Sequence, residues 1–413
     1  MGPGIIVALT WLGAGDLIDS AIAGGSYGYS LMWAMVIALF VRFIFVSIVA
    51  KYQLCNQHGE SIMSGLKRLH PWMPIFVGIV AIFFGHFYCS YMVKGIGEVS
   101  VKLSGIGMPW LWSIFWVSVA AIFIFRGTFK RLEMIFYIFL IMLSTSLIAV
   151  AIWSGPDPIA ATKGAFLFSI PEQSGSFGAL LVITSLIGAV GGSIANLLYP
   201  YFIQQKGWKG PKFRRVQLYD LAFGTFILIA INLSVWTIGA EVLNPRAINI
   251  ESLDDLAKLL TLTLGNLGGP IFYLGVFAAL YSSIIGLAVG FGYLIKDTIR
   301  VIKEEKIMQA EKIDTRNSHI YHGVVAWCLF SPLIWTLPDM PGVIFLAIIA
   351  NAAAVVVLPI LCGSLWYLTS NTTFIGVKYK NKWWENFILL GLFILSIWGS
   401  YQAIIAIGTA LYS

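Results

Sequence analysis

The chain has 413 residues, 59% of them hydrophobic, 15% aromatic and only 11% charged, with a mean hydropathy of +0.86. A soluble domain is roughly 45–50% apolar and about 25% charged, and a chain of this size offers too small a core to bury the excess against protein alone. Lipid is therefore the expected solvent, which excludes a cytosolic enzyme, a secreted disulfide scaffold and a disordered chain, and the net charge of +7 must be explained by where the charges stand.

A membrane span needs about 20 mostly apolar residues. Eleven segments qualify, at about 3–27, 30–52, 72–95, 107–125, 132–154, 177–203, 217–240, 268–295, 320–337, 341–367 and 386–411. The N-terminal stretch lacks the basic start of a cleaved signal and carries Asp16 among its apolar residues. Ile6 stands where myristoylation would need Ser or Thr, so this stretch is expected to be a mature helix. No soluble domain fits between the spans, and the charged stretch 296–319 reads as a connector. Cys89, Cys328 and Cys362 lie inside apolar runs and Cys55 ends one, the pattern of buried thiols rather than bridges or a metal cluster.

The basic residues give an orientation. With the N-terminus in the cytoplasm and the C-terminus outside, twenty of the 26 Lys and Arg residues fall in or beside the five inner loops and five on the outer side, while Arg42 lies within a span. This four-to-one bias makes the basic charge a topology signal and removes nucleic acid as a partner. The bacterial plasma (inner) membrane is the expected location.

Two of the glycine clusters interrupt spans in matching places. Gly13-Ala14-Gly15-Asp16 lies in the first span; Gly188 and then Gly191-Gly192-Ser193 lie in the sixth. The first and sixth spans open two sets of five, with the eleventh left over, and an odd-numbered set must be followed by one of opposite sense. Interrupted spans in corresponding positions point to an inverted-repeat transporter with its site at the midplane. The expected fold is thus an all-α integral membrane protein: one transmembrane domain over 1–413, repeats at 1–154 and 177–367, and an extra helix at 386–411.

An unwound segment frees backbone carbonyls that are tolerated only where they line a cavity or are buried in protein. With nearby side-chain oxygens they can replace part of a cation's hydration shell. Small residues that merely let helices pack closely are the alternative. Asp16 sharpens the first reading, because a carboxylate at mid-bilayer costs about 3 kcal/mol on insertion scales and is retained for a reason. Asp19, three residues on, is read as a second ligand, a proton acceptor or a helix cap. Arg42 needs an acidic partner, for which Asp19 and Asp220 are the candidates. His86 reads as a hydrogen-bonded core histidine, with a proton relay as its other possible role, and Lys94 as a snorkelling residue. Ser193, Asn196 and Asn351 are neutral oxygen donors at depth.

These residues resemble a family, the Nramp metal-ion transporters. The resemblance is carried by Gly2-Pro3-Gly4, the run from Ala23 to Tyr29, Tyr199 to Trp208, Arg214 to Asp220, Ser282-Ser283, Leu368 to Asn371, Ile375-Gly376 and Asn381-Lys382-Trp383. It implies a LeuT-type 5+5 inverted repeat, with the first and sixth helices unwound at the midplane, and import of a divalent metal, usually coupled to protons. At the site itself the chain departs from the pattern. The family's first-helix motif is Asp-Pro-Gly-Asn, whereas here the acid is fourth, at Asp16. Its sixth-helix Met-Pro-His is replaced by Ser193-Ile194-Ala195, Val190 takes the place of the residue whose carbonyl faces the metal, Tyr91 and Lys94 stand for third-helix acids, and Asn351 for a tenth-helix glutamine.

The expected metal ligands are therefore Asp16, Gly13, Val190, Ser193, Asn196 and Asn351, and Asp19, Arg42, His86 and Asp220 are candidates for proton handling or gating. Oxygen donors without a thioether or imidazole suit a hard ion, Mg²⁺ and also Mn²⁺, held partly hydrated in a wide pocket. Loss of the methionine and histidine is similar to the Nramp-related magnesium transporters, which implies alternating access without proton coupling. The ion is cargo, and no cofactor is expected. An organic solute carrier on the same fold and a non-transporting membrane sensor are the competing readings. No HExxH motif supports an enzyme.

Overall fold

The computed structural model describes residues 14–126, 130–171, 176–191, 193–303 and 318–412, and these contain helices and turns and no strand. Helices stand at all eleven predicted spans: α1 (Ala14–Tyr27), α2 (Met32–Cys55), α3 (Met73–Ser104), α4 (Pro109–Arg126), α5 (Lys130–Trp153), an interrupted α6 (Ala179–Gln205), α7 (Arg214–Ile238), α8 (Gly268–Ile302), α9 (His319–Phe330), α10 (Val343–Ser370) and α11 (Trp383–Tyr412). Among the described residues, eight helical stretches are each long and apolar enough to cross a membrane. The bent pair Ile138–Trp153 and Pro158–Phe166 makes a ninth if it is one span. The described part of the first span starts at Ala14, and α9 has only 12 residues before a 3₁₀ turn, Ser331–Thr336, takes over.

Two helices overrun their expected ends. α3 continues to Ser104 and α8 to Ile302, because a helix need not stop where its side chains become polar and hydropathy registers only the apolar part. Three short helices, Ile62–Leu69, Pro158–Phe166 and Leu253–Leu264, fill the connections. The last opens with a capping box in which the Ser252 hydroxyl accepts from the Asp255 amide and the Asp255 carboxylate accepts from the Ser252 amide.

Packing places α1 and α6 at the centre. α1 lies along α7, α2 covers the interruption in α6, and α10 crosses α6. The third members of the two expected sets, α3 and α8, pack along each other over their length. α4 and α11 lie outside, with Ile122, Phe125, Ile394 and Ile404 facing outward as lipid-exposed residues do. The four cysteines are buried and unbridged.

Close crossings explain some of the glycine. A Cβ added to Gly188 would stand 1.8 Å from the Asn351 carbonyl oxygen, so α6 and α10 touch backbone to backbone. For this residue close packing is the role the structure shows, and it stands where the interruption of α6 begins. Gly188→Ala is expected to destabilise the protein by about 1–3 kcal/mol through overpacking. Gly391→Ala on α11, where an added Cβ meets nothing within 4 Å, should stay within about 0.5 kcal/mol. Apparent melting temperatures of the detergent-solubilised variants check both.

Candidate functional site

The interruption in α6 has a defined course. Ala179–Leu186 is α-helical, Ile187–Gly191 widens into a π-turn, and Ser193 is extended (φ −77°, ψ 153°). A 3₁₀ turn, Ile194–Leu198, leads into the second half, Tyr199–Gln205, with Pro200 in its first turn. The Ser193 hydroxyl caps this second half by accepting from the Ala195 amide at 3.0 Å. The first half thus ends with carbonyls released from the helical ladder, and a helix C-terminus of this kind attracts a positive charge.

A positive charge is there, and it belongs to the chain. Arg42 of α2 makes a two-pronged ion pair with Asp16, Nη1 to Oδ2 at 2.7 Å and Nη2 to Oδ1 at 3.3 Å. Its Nη2 also donates to the Ala189 carbonyl in the π-turn. The Arg42 and Asp16 side chains are only 2% and 4% exposed, so neither charge is left to water. This corrects the expected partner: Arg42 pairs with Asp16, and neither Asp19 nor Asp220 takes that place. Only a folded α2 brings residue 42 to the α6 break, which sequence spacing does not reveal.

The expected break in the first span falls partly at Gly13, outside the described residues. From Ala14 the chain is already helical, and Asp16 sits in the first described turn of α1. Gly15 lets other helices approach closely: a Cβ there would be 2.8 Å from the Tyr91 hydroxyl and 3.1 Å from Asn351 Nδ2. One turn along, Asp19 is buried and accepts from Ser185 Oγ at 2.8 Å and from Asn351 Nδ2 at 3.0 Å. Ser20 donates to the Asp16 carbonyl at 2.7 Å and to Asn232 Oδ1 at 2.9 Å. The region therefore holds two carboxylates against one guanidinium, a formal charge of −1 when both acids are ionised.

A cavity of about 40 Å³ adjoins the ion pair, lined by Asp16, Arg42, Tyr88, Tyr91, Ser193 and Asn351, together with Gly15, Met92, Ala189, Ala195 and Leu287. The expected wide pocket is thus replaced by a small one, because the guanidinium and two tyrosines fill the room that small residues leave. Met92 of α3 lies among the lining residues as well, on a helix from which no ligand was expected. Tyr88, Met92 and Ala189 were not singled out from the sequence. Tyr88, Tyr91 and Met92 follow i, i+3, i+4 spacing, so one face of α3 carries them all.

Of the predicted ligands, Asp16, Ser193 and Asn351 line this cavity. Val190 contributes its backbone to the π-turn, and Asn196 is buried in the 3₁₀ turn behind Ser193. His86 lies elsewhere: Nδ1 is 2.8 Å from Ser331 Oγ and Nε2 accepts from Trp335 Nε1 at 2.8 Å, the hydrogen-bonded arrangement expected of it. Asp220 is half-buried near the start of α7 and does not line the cavity. Lys94 donates to the Met340 and Pro341 carbonyls in the loop before α10. No group of three or more His, Cys, Asp or Glu side chains poised for a metal occurs among the described residues.

A divalent ion and the guanidinium cannot share Asp16. At about 4 Å and an effective dielectric constant of about 20, their repulsion is about 8 kcal/mol. An arriving cation would have to displace Arg42 from the carboxylate.

A helical membrane bundle with an interrupted sixth helix at a buried charged centre is the architecture of a LeuT-type transporter, and the solved structures it resembles are such transporters. A mutant of the Eremococcus coleocola manganese transporter superposes with a TM-score of 0.76 at 15% identity, covering 98% of this chain and 85% of that one. Mhp1, a nucleobase-cation-symport-1 family transporter, gives 0.59 at 12% identity over 98% and 90%. Residues 4–406 match the family described as natural resistance-associated macrophage protein-like, and the chain belongs to this Nramp family. It is a multi-pass membrane transporter and not an enzyme. Curated relatives named divalent metal cation transporter MntH include that of Bacillus subtilis (strain 168), 22% identical over 70% of this chain and 69% of its own length. The relative from Yersinia pestis (strain Pestoides F) is 24% identical over 70% and 71%.

Removing one partner of a buried ion pair leaves the other charge uncompensated, at about 3–5 kcal/mol. Asp16→Asn is expected to lower the apparent melting temperature accordingly, and Asp16→Asn combined with Arg42→Gln should recover a large part of the loss. A double-mutant cycle of thermal shifts reads the coupling.

Proposed function

We propose that the chain carries a divalent metal ion across the membrane by alternating access, with Asp16, Ser193 and Asn351 supplying oxygens from α1, α6 and α10. The observation that carries this reading is the cation position between the α1 carboxylate and the carbonyls freed at the α6 break. A positive group, the Arg42 guanidinium, is already stabilised there. Relatives named as divalent metal cation transporters support the cargo class. Oxygen donors favour hard and borderline ions, Mg²⁺ and Mn²⁺, over Cd²⁺, with Met92 as the single thioether at the cavity. An α6 break with Ala195 and no histidine supports transport without proton coupling. The basic inner loops support a cytoplasmic N-terminus and an outer C-terminus in a plasma membrane.

Cavity size argues against an organic solute. About 40 Å³ is room for a few waters, each needing about 10–15 Å³ on the same measure, against several hundred Å³ for small-molecule sites. An ion that has shed much of its hydration shell is the right scale. The locked Arg42–Asp16 pair also favours one second reading, a protein that has kept the fold and moves nothing. In proteoliposomes, Mn²⁺ and Mg²⁺ uptake is expected to drop to background in Asp16→Ala, with Cd²⁺ competing more weakly than either ion. A luminal pH dye should stay constant during uptake. Absence of ion uptake by the wild-type protein would assign the second reading, and luminal acidification would overturn proton independence.

A further inference from the structure

An alternating-access carrier must turn its binding site in two conditions, with cargo and without it. An oxygen site designed for a cation is hard to turn without cargo, because its carboxylate would then pass through a low-dielectric interior with no partner. The usual remedies are a second ion or a proton that travels back. This chain carries another device on α2.

We propose that Arg42 is a tethered counter-ion, which takes the place of the metal on Asp16 so that the unloaded carrier returns as a neutral pair. This inference rests on the cation-transport reading and adds to it the step that makes net transport possible. Three observations support it. The guanidinium holds both carboxylate oxygens of Asp16. It simultaneously bonds the Ala189 carbonyl at the end of the first half of α6, where a transported cation would find its backbone ligand. Both side chains are closed off from solvent, and the adjoining cavity is lined by Ser193 and Asn351, the other proposed ligands.

The cycle then has two pairings of one carboxylate. Cargo entering from one side binds Asp16, Ser193 and Asn351 and displaces the guanidinium from both the carboxylate and the Ala189 carbonyl. After release on the other side, Arg42 swings back onto Asp16. Asp16 is never without a cation in either direction of turning, and no co-transported ion is needed. Arg42 is therefore a positioning residue that competes with cargo and does not bind it.

The test separates net movement from exchange. Wild-type protein, Arg42→Gln and Arg42→Lys are reconstituted in liposomes, and Mn²⁺ uptake is measured into vesicles without Mn²⁺ and into vesicles preloaded with it. In the wild type the two rates should agree within about threefold, since return of the unloaded carrier is not limiting. In Arg42→Gln the ratio of exchange to net uptake should rise by more than about tenfold, and Mn²⁺ affinity by calorimetry should rise by a similar factor because the internal competitor is gone. Arg42→Lys keeps the charge but loses the fork and should fall between the two.

An unchanged ratio in Arg42→Gln, or a weaker Mn²⁺ affinity, would overturn the proposal while leaving the cargo assignment standing. Should the Gln variant not fold, the wild type alone decides, since exchange more than about tenfold faster than net uptake would show that Arg42 does not return the carrier. Wild-type protein inert toward Mn²⁺ and Mg²⁺ in both modes would overturn the cargo reading instead, and the proposal with it.

Discussion

A charge in hydrocarbon must find its opposite, and the centre of this molecule is arranged around that requirement. Asp16 and Arg42 come from separate helices and meet at the break of a third. Their pairing depends on features that look unrelated in isolation. Gly15 clears space for Tyr91 and Asn351 beside the acid, the π-turn exposes the Ala189 carbonyl, and α2 lies over the interruption so that Arg42 reaches both. Because lipid supplies no hydrogen bonds, each polar group near this point must be satisfied from within the bundle. That is why Ser185, Asn351 and Ser20 all direct hydrogen bonds at the first described turns of α1.

The fold was legible where a single physical constraint acts on a continuous stretch of chain. Bilayer thickness fixes the length of an apolar run, and helices stand at all eleven such runs. Charge outside the membrane carries no such constraint, so the seven extra residues of α8 and the polar end of α3 were missed. The site was legible only in part. Asp16, Ser193 and Asn351 stand out because polar groups are rare at depth. Tyr88 and Met92 do not, since on a helix that is apolar all round no moment marks which face looks inward. Their i, i+3, i+4 relation to Tyr91 was the one available signal. The partner of Arg42 was out of reach, because two acids three residues apart on α1 are equivalent until the direction of approach of α2 is known.

The glycines illustrate how one residue type serves two purposes. Gly188 lets α6 and α10 pass at backbone contact, which is packing in the sense common to membrane helices. The release of carbonyls occurs in the π-turn that contains Gly188 and at extended Ser193 beyond it. The two effects are coupled: the tight crossing fixes Asn351 against α6, and Asn351 in turn holds Asp19 on α1. A packing contact therefore sets the geometry of the acidic turns.

The position of the acid carries a last consequence. Set against the family's first-helix motif, the carboxylate stands three places later. The acid at Asp16 stands beside the α6 break, where Arg42 holds both it and the Ala189 carbonyl. There the neighbouring donors are a serine hydroxyl, an asparagine amide and the Ala189 carbonyl, none of which carries the charge needed to balance a buried acid. A fixed cation has to come from another helix, and residue 42 on α2 is where the bundle brings one. The acid at Asp16 and the buried arginine at 42 thus depend on each other: each would be costly alone, and together they form a closed, neutral pair.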